Sequence, residues 1–148
     1  MNLFATILAQ AAASLVDMDL FVGGVGGYTC YRLPNLVMLP QHGHMLSLAQ
    51  GHKFDCSDGG AMDVLARRST DDGMTWTPPA LVYTETTPAL NVTIGAPAAV
   101  AVTGASGSGG AGVVFLFVTR NNKELLLLKS MDGGASWGAT PRVSVCGK

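Results

Sequence analysis

From Tyr28 onward, short apolar runs alternate with polar breaks rich in glycine and proline. This is the pattern of half-buried strands joined by turns. The runs predict strands at residues 35–39 (led in by 28–34), 44–49, 61–69 and 80–83. Turns are expected at 40–43 and 71–73, and a polar loop at 51–60. Four short antiparallel strands make one blade of a β-propeller. The pattern then restarts. Residues 98–103, 113–119 and 124–130 read as strands, separated by a low-complexity loop at 104–112 and a turn at Asn121-Asn122. A last strand is expected near 142–145.

The restart is literal at two places. Ser69-Thr70-Asp71-Asp72-Gly73-Met74-Thr75-Trp76 and Ser130-Met131-Asp132-Gly133-Gly134-Ala135-Ser136-Trp137 both fit S-x-D-x-G-x-[ST]-W, 61 residues apart. Repetition on this scale points to propellers or solenoids. Each residue type has a physical task. The Asp carboxylate accepts backbone N–H groups across the turn. The Gly takes a positive φ where the hairpin reverses. The Trp plugs the space between hairpin and blade. The motif is the Asp box, a folding element rather than a site. Ser69, Asp71, Gly73 and Trp76, with Ser130, Asp132, Gly134 and Trp137, are therefore assigned structural roles.

Composition supports an all-β chain with a packed core. Of 148 residues, 48% are hydrophobic and 13% charged, with 19 glycines and 7 prolines. A formal net charge of −1 supplies no basic face for nucleic acid. Three cysteines, Cys30, Cys56 and Cys146, are too few for a disulfide scaffold, though one pair with one left over is possible. There is no C-x-x-C, and His42, His44 and His52 form no H-x-x-x-H pair, so no metal site and no cofactor are expected. Residues 2–16 are apolar or small and end at Asp17. No Lys or Arg precedes them, and they are too short for a membrane span of about 20 residues. Two readings of residues 1–20 stay open, a weak signal peptide or a frayed start. The propeller-like domain then occupies 21–148.

The candidate chemistry lies upstream of the first Asp box. Tyr31-Arg32-Leu33-Pro34 resembles the sialidase motif [FY]-R-[IL]-P. Residues 46–53 (Leu-Ser-Leu-Ala-Gln-Gly-His-Lys) are similar to the family's L-x-A-x-A-E-G-R-K stretch. Cys56-Ser57-Asp58-Gly59-Gly60-Ala61-Met62-Asp63 is similar to C-S-D-x-G-x-x-D. In order and spacing the chain resembles the exo-α-sialidase (neuraminidase) family over residues 28–76, and more loosely over 92–137. The resemblance implies a six-bladed propeller. At roughly 40–50 residues per blade, this chain holds about two to three blades, an incomplete β-propeller.

The resemblance also implies an activity, hydrolysis of terminal α-linked sialic acid from glycoproteins, oligosaccharides and gangliosides, with sialylated glycans as partners. Arg32 corresponds to the first of three arginines that fork onto the sialic acid carboxylate. Asp58 corresponds to the general acid that protonates the leaving oxygen. His52 stands where the family has a further arginine of the pocket, and its charge depends on pH. Ala96 replaces the usual Asn or Asp. The family's nucleophile is a Tyr activated by a Glu, and Tyr28, Tyr31, Tyr83, Glu85 and Glu124 do not match those places. Hence an inactive or weakly active piece is expected. The alternative is a non-catalytic glycan-binding or protein-interaction Asp-box module.

Read without that neighbourhood, Arg32 is a strand arginine that pairs with a surface carboxylate, and Asp58 is a turn residue. Asp55 falls outside the matched position, Asp63 anchors the strand that follows, and Arg67 and Arg68 are structural. The resemblance places Arg32 and Asp58 at one concave end with His52 beside them. They are expected about one monosaccharide apart and not ion-paired, with the Asp-box turns at the periphery. Cys30 and Cys56, each two residues before a site residue, are then expected close together, against two unrelated buried thiols. A bridge there and glycosylation of the sequon Asn91-Val92-Thr93 would both need an oxidising compartment. A secreted, lysosomal or membrane-associated protein is expected over a cytoplasmic one.

Overall fold

The computed structural model describes residues 17–85, 92–104, 110–139 and 143–144. Residues 1–16 of the candidate leader at 1–20, the sequon asparagine Asn91 and Cys146 lie outside them. So does much of the low-complexity loop, residues 105–109. The described residues form two small antiparallel sheets. The first runs β1 (Cys30–Met38), β2 (Met45–His52), β3 (Met62–Ser69), β4 (Ala80–Thr84), in that spatial order. The second runs β5 (Ala98–Val102), β6 (Val113–Arg120), β7 (Glu124–Ser130), followed by two short strands that both pair with β7. These are β8 (Gly138–Ala139), against Leu128–Lys129, and β9 (Val143–Ser144), against Glu124–Leu125. Each sheet is an up-and-down meander of the kind that makes a propeller blade. The described residues do not close a propeller.

Alternation along β2 explains how the sheets meet. Leu46 and Leu48 face the second sheet and are fully buried, joining Val64, Ile94, Val114, Leu116 and Val118 in one core. Because strand side chains alternate, Gln50 and His52 share that buried face. The opposite face of β2 carries the small residues Ser47, Ala49 and Gly51. There Tyr28 and Leu65 close in so tightly that a Cβ on Gly51 would stand 2.7 Å from Tyr28 and 2.6 Å from Leu65. The inner strands β1 and β5 are neighbours, linked by the Ala99 N–H donating to Asn35 Oδ1 at 3.2 Å.

The first strand begins five residues earlier than expected. Pro34 reads as a break because it has no N–H, but in its sheet β1 pairs with β2 alone, so the edge tolerates a proline. The register shifts between Arg32 and Asn35, and Leu33 takes a positive φ of 51°. This bulge keeps the strand continuous while re-aiming the residues on either side.

Both Asp boxes fold as the sequence implies. Ser69 Oγ donates to Asp71 Oδ1 at 2.8 Å and accepts the Gly73 N–H at 2.9 Å. Asp71 accepts from the Thr75 N–H and hydroxyl, and Trp76 Nε1 donates to the Gly73 carbonyl. Ser130, Asp132, Gly134 and Ser136 repeat the serine and aspartate bonds, but among the described residues the indole N–H of Trp137 has no partner corresponding to that of Trp76. Gly73 and Gly134 both have φ 83°. Burial of the Asp132 carboxyl pushes its pKa up, but bonds from Ser136, Ser130 and the Ala135 N–H outweigh it and hold the pKa at about 2. Both carboxylates are consumed by their own turns.

Candidate functional site

Strand register separates the two ends of the first sheet. Met38, Met45 and Ser69 stand together at one end, and Cys30, His52 and Met62 at the other. The Asp-box turn leaves from the first end, where the Asp72 N–H donates to the Gly43 carbonyl. The loop at 53–61, carrying Asp58, leaves from the second, beside the start of β1. Arg32 and Asp58 thus share the end opposite the Asp boxes, as the sequence implied.

Their separation does not follow the expectation. Arg32 Nη1 lies 2.6 Å from Asp58 Oδ1, a direct ion pair, and also donates to the Cys56 carbonyl at 3.0 Å. The cause is covalent. Cys30 and Cys56 are disulfide-bonded with Cα atoms 5.9 Å apart, within reach of unstrained backbone. The bridge brings the loop onto β1, and opposite charges in reach of each other then pair. The plain reading of Arg32 as a strand arginine with a surface carboxylate therefore describes one of its contacts, and that carboxylate is Asp58 itself.

A cleft of about 330 Å³ opens here between the two sheets. Leu33, Gln50, Asp58, Thr93, Gly95, Ala96, Thr119 and Asn122 line it. Arg32 lines a second hollow of about 290 Å³ with Phe21, Tyr31, Pro34, Ser47, Ala49 and residues 18–20. The Arg32–Asp58 pair is thus the partition between two hollows. Ala96 stands on the cleft wall and offers a methyl group there.

His52 is not on the cleft wall. It is 1% exposed, with Nε2 2.9 Å from Gln50 Oε1, and Gln50 in turn donates to the Ile94 carbonyl. Gln50, which the sequence reading passed over, takes the cleft position. The signal was available: Gln50 and His52 continue the buried alternation of Leu46 and Leu48. Thr93, Thr119 and Asn122 were also missed. They come together because the 92–95 segment runs beside the end of β6, where the Gly95 N–H donates to Thr119 and the Asn121 N–H to Thr93.

Burial lowers the His52 pKa, Arg32 lowers it further, and Asp55 and Asp58 oppose both. A histidine held below its unfolded value, about 6.5, binds fewer protons folded than unfolded beneath that value. Stability therefore falls as pH drops below about 6.5 and levels off below the folded pKa. Thermal melts of the wild type between pH 7 and pH 5 should slope more steeply than those of His52→Gln. Parallel slopes would show that the ring is not buried neutral.

The remaining charged groups of this end are mutually satisfied. Asp63, 4% exposed, accepts from the Tyr28 hydroxyl at 2.8 Å and pairs with Lys53 at 2.9 Å, which makes it the anchor expected. Glu85 pairs with Arg120 at 2.6 Å, and Glu124 lies 3.6 Å from the same guanidinium. Burial, then the bond to Asp63, raises the Tyr28 pKa, and burial raises that of Tyr31. Neither phenol is poised to ionise. Among the described residues no cluster of His, Cys, Asp or Glu could hold a metal, and no helix is long and apolar enough to cross a membrane.

Comparison with known proteins bears on this geometry. No family model matches the chain. Over 60 residues, 40% of its length, it is 38% identical to a protein named sialidase from Micromonospora viridifaciens. Part of this chain is sialidase-like. The matched stretch is 9% of that protein. The solved structure of Trypanosoma rangeli sialidase in complex with sialic acid superposes with a TM-score of 0.54 at 18% identity. That alignment covers 78% of this chain and 20% of the trypanosomal one. The two sheets accordingly resemble part of a propeller-like sialidase fold, and the chain spans a small fraction of the proteins it matches.

Proposed function

We propose that the chain carries the arginine and acid quarter of a sialidase-type site and engages the carboxylate of terminal sialic acid on glycans. The observation that carries this reading is the meeting of Arg32 and Asp58 beside the 330 Å³ cleft, at the end opposite the Asp boxes. A guanidinium fork matches a carboxylate and stays charged at any working pH. Asp58, protonated, is the group that would donate to a leaving glycosidic oxygen in hydrolysis of α-linked sialic acid from glycoproteins, oligosaccharides or gangliosides. In the arrangement seen its Oδ1 is taken up by Arg32 Nη1 at 2.6 Å. Tyr28 and Tyr31 have raised pKa values, the wrong direction for a nucleophile.

Binding without turnover is therefore the reading for the 148-residue polypeptide itself, with hydrolysis the activity of its lineage. The Cys30–Cys56 bridge favours an oxidising compartment, secreted or lysosomal, or the outer face of a membrane. A purified sample should release no fluorophore from a fluorogenic α-sialoside above the buffer rate, while free sialic acid shifts the amide resonances of 56–59 and 93–96. Turnover at an ordinary enzyme rate, on the order of 1 per second or more, would overturn the binding reading. Unmoved resonances at millimolar sialic acid would overturn the site.

A further inference from the structure

We propose that the Cys30–Cys56 disulfide is a redox latch on Arg32. While it is closed, Asp58 is held on the guanidinium as an internal carboxylate that an incoming carboxylate must displace. Once it is reduced, the loop leaves and Arg32 is freed. This rests on the reading of Arg32 as the carboxylate-binding group and adds the regulation of that site.

The argument starts from how little else holds the loop. Residues 54–59 are all exposed, and the Asp58 side chain is 91% exposed. Ser57 bonds to Asp55 and Gly59, which shapes the loop internally but ties it to nothing. At its stems the Thr29 hydroxyl donates to the Lys53 carbonyl and the Lys53 N–H to the Ala61 carbonyl. Between these stems, the described bonds from the loop to the sheet are the disulfide and two acceptors on Arg32, Asp58 and the Cys56 carbonyl. An exposed ion pair is weak by itself, because water competes for both partners.

The covalent bridge changes the statistics. It fixes Cys56 beside Cys30, two residues from Arg32, so Asp58 competes for the guanidinium as a tethered group of high effective concentration. Without the bridge the same carboxylate sits on a glycine-flanked loop with its own freedom, and the competition weakens.

The switch is ordinary thiol–disulfide exchange. A thiolate of a dithiol reductant attacks one cystine sulfur and forms a mixed disulfide. The reductant's second thiolate then attacks the reductant sulfur of that mixed disulfide, expelling the remaining protein cysteine as a thiolate and closing the reductant into a cyclic disulfide. Two electrons and two protons pass to the protein, leaving Cys30 and Cys56 as thiols.

The test uses the full chain and acetate as a bare carboxylate probe, followed by the resonances of residues 30–34 and 56–59. Dithiothreitol is the reductant because it carries no carboxylate. Reduced wild type, the Cys30→Ser/Cys56→Ser double variant, and oxidised Asp58→Asn should each bind acetate about two- to fivefold more tightly than oxidised wild type, the worth of an exposed ion pair. Hydrogen exchange of loop amides should quicken on reduction, while β2 and β3 amides stay protected, which separates an open latch from an unfolded chain. If Asp58→Asn tightens binding but reduction does not, the latch falls and the carboxylate site stands. If no form binds acetate although the loop opens, the site reading falls and takes the latch with it. Loss of protection in β2 and β3 on reduction also overturns the proposal, since the bridge would then be structural.

Discussion

Gly134→Ala is expected to destabilise the folded chain by about 3 kcal/mol, and Gly73→Ala by about half as much. The two glycines occupy the same place in their Asp boxes, with the same φ of 83°. A side chain in that left-handed region costs roughly 1–2 kcal/mol at either position. What differs is the space. A Cβ on Gly134 would meet Leu46 Cδ1 at 2.7 Å and Cδ2 at 3.0 Å, and Leu46 is wholly buried in the core between the sheets. It has nowhere to go without disturbing that core, and overpacking of this kind adds roughly 1–3 kcal/mol. A Cβ on Gly73 would meet Met45 Sδ at 3.2 Å, near the far end of a flexible side chain that can turn away. Urea unfolding of the two variants checks this. Equal losses, or a larger loss at Gly73, would show that the second Asp box is not wedged against the core of the first sheet.

That asymmetry also marks where sequence reading reaches its limit. Most strands were legible because each is a short apolar run closed by a turn residue, whereas the two-residue β8 was not. The Asp boxes were legible because their bonds are local: Ser69, Asp71, Gly73 and Thr75 satisfy one another within seven residues. The closeness of Cys30 and Cys56 followed from two site residues being assigned to one end, while the bond between them did not. What was not legible depends on relations across the sheet or between sheets. Leu33-Pro34 reads as a break and becomes a bulge because β1 is an edge. His52 reads as a pocket residue by its place in a motif, whereas the period-2 alternation of Leu46, Leu48 and Gln50 carries it into the core. The Arg32–Asp58 contact depends on where the disulfide sets the loop, which no spacing encodes.

Arg32 is the residue on which the functional reading stands, and Arg32→Ala is expected to weaken binding of sialic acid by about 10- to 100-fold, the value of a charge-assisted hydrogen-bonded pair. Its guanidinium already holds a carboxylate oxygen at 2.6 Å and a carbonyl at 3.0 Å, both through one nitrogen. The bulge at Leu33 and the disulfide at Cys30 fix the backbone on either side of it. Arg32→Lys should recover only part of the loss, because an ammonium is a point charge without the planar fork. His52→Gln should change affinity far less at pH 7, since its ring is buried behind the cleft wall and neutral there. Isothermal titration of the four proteins with sialic acid, under oxidising conditions, reads all three differences. A wild-type affinity in Arg32→Ala would move the anion site off this end of the sheet altogether. Full recovery in Arg32→Lys would instead show that charge alone, without the fork, accounts for recognition.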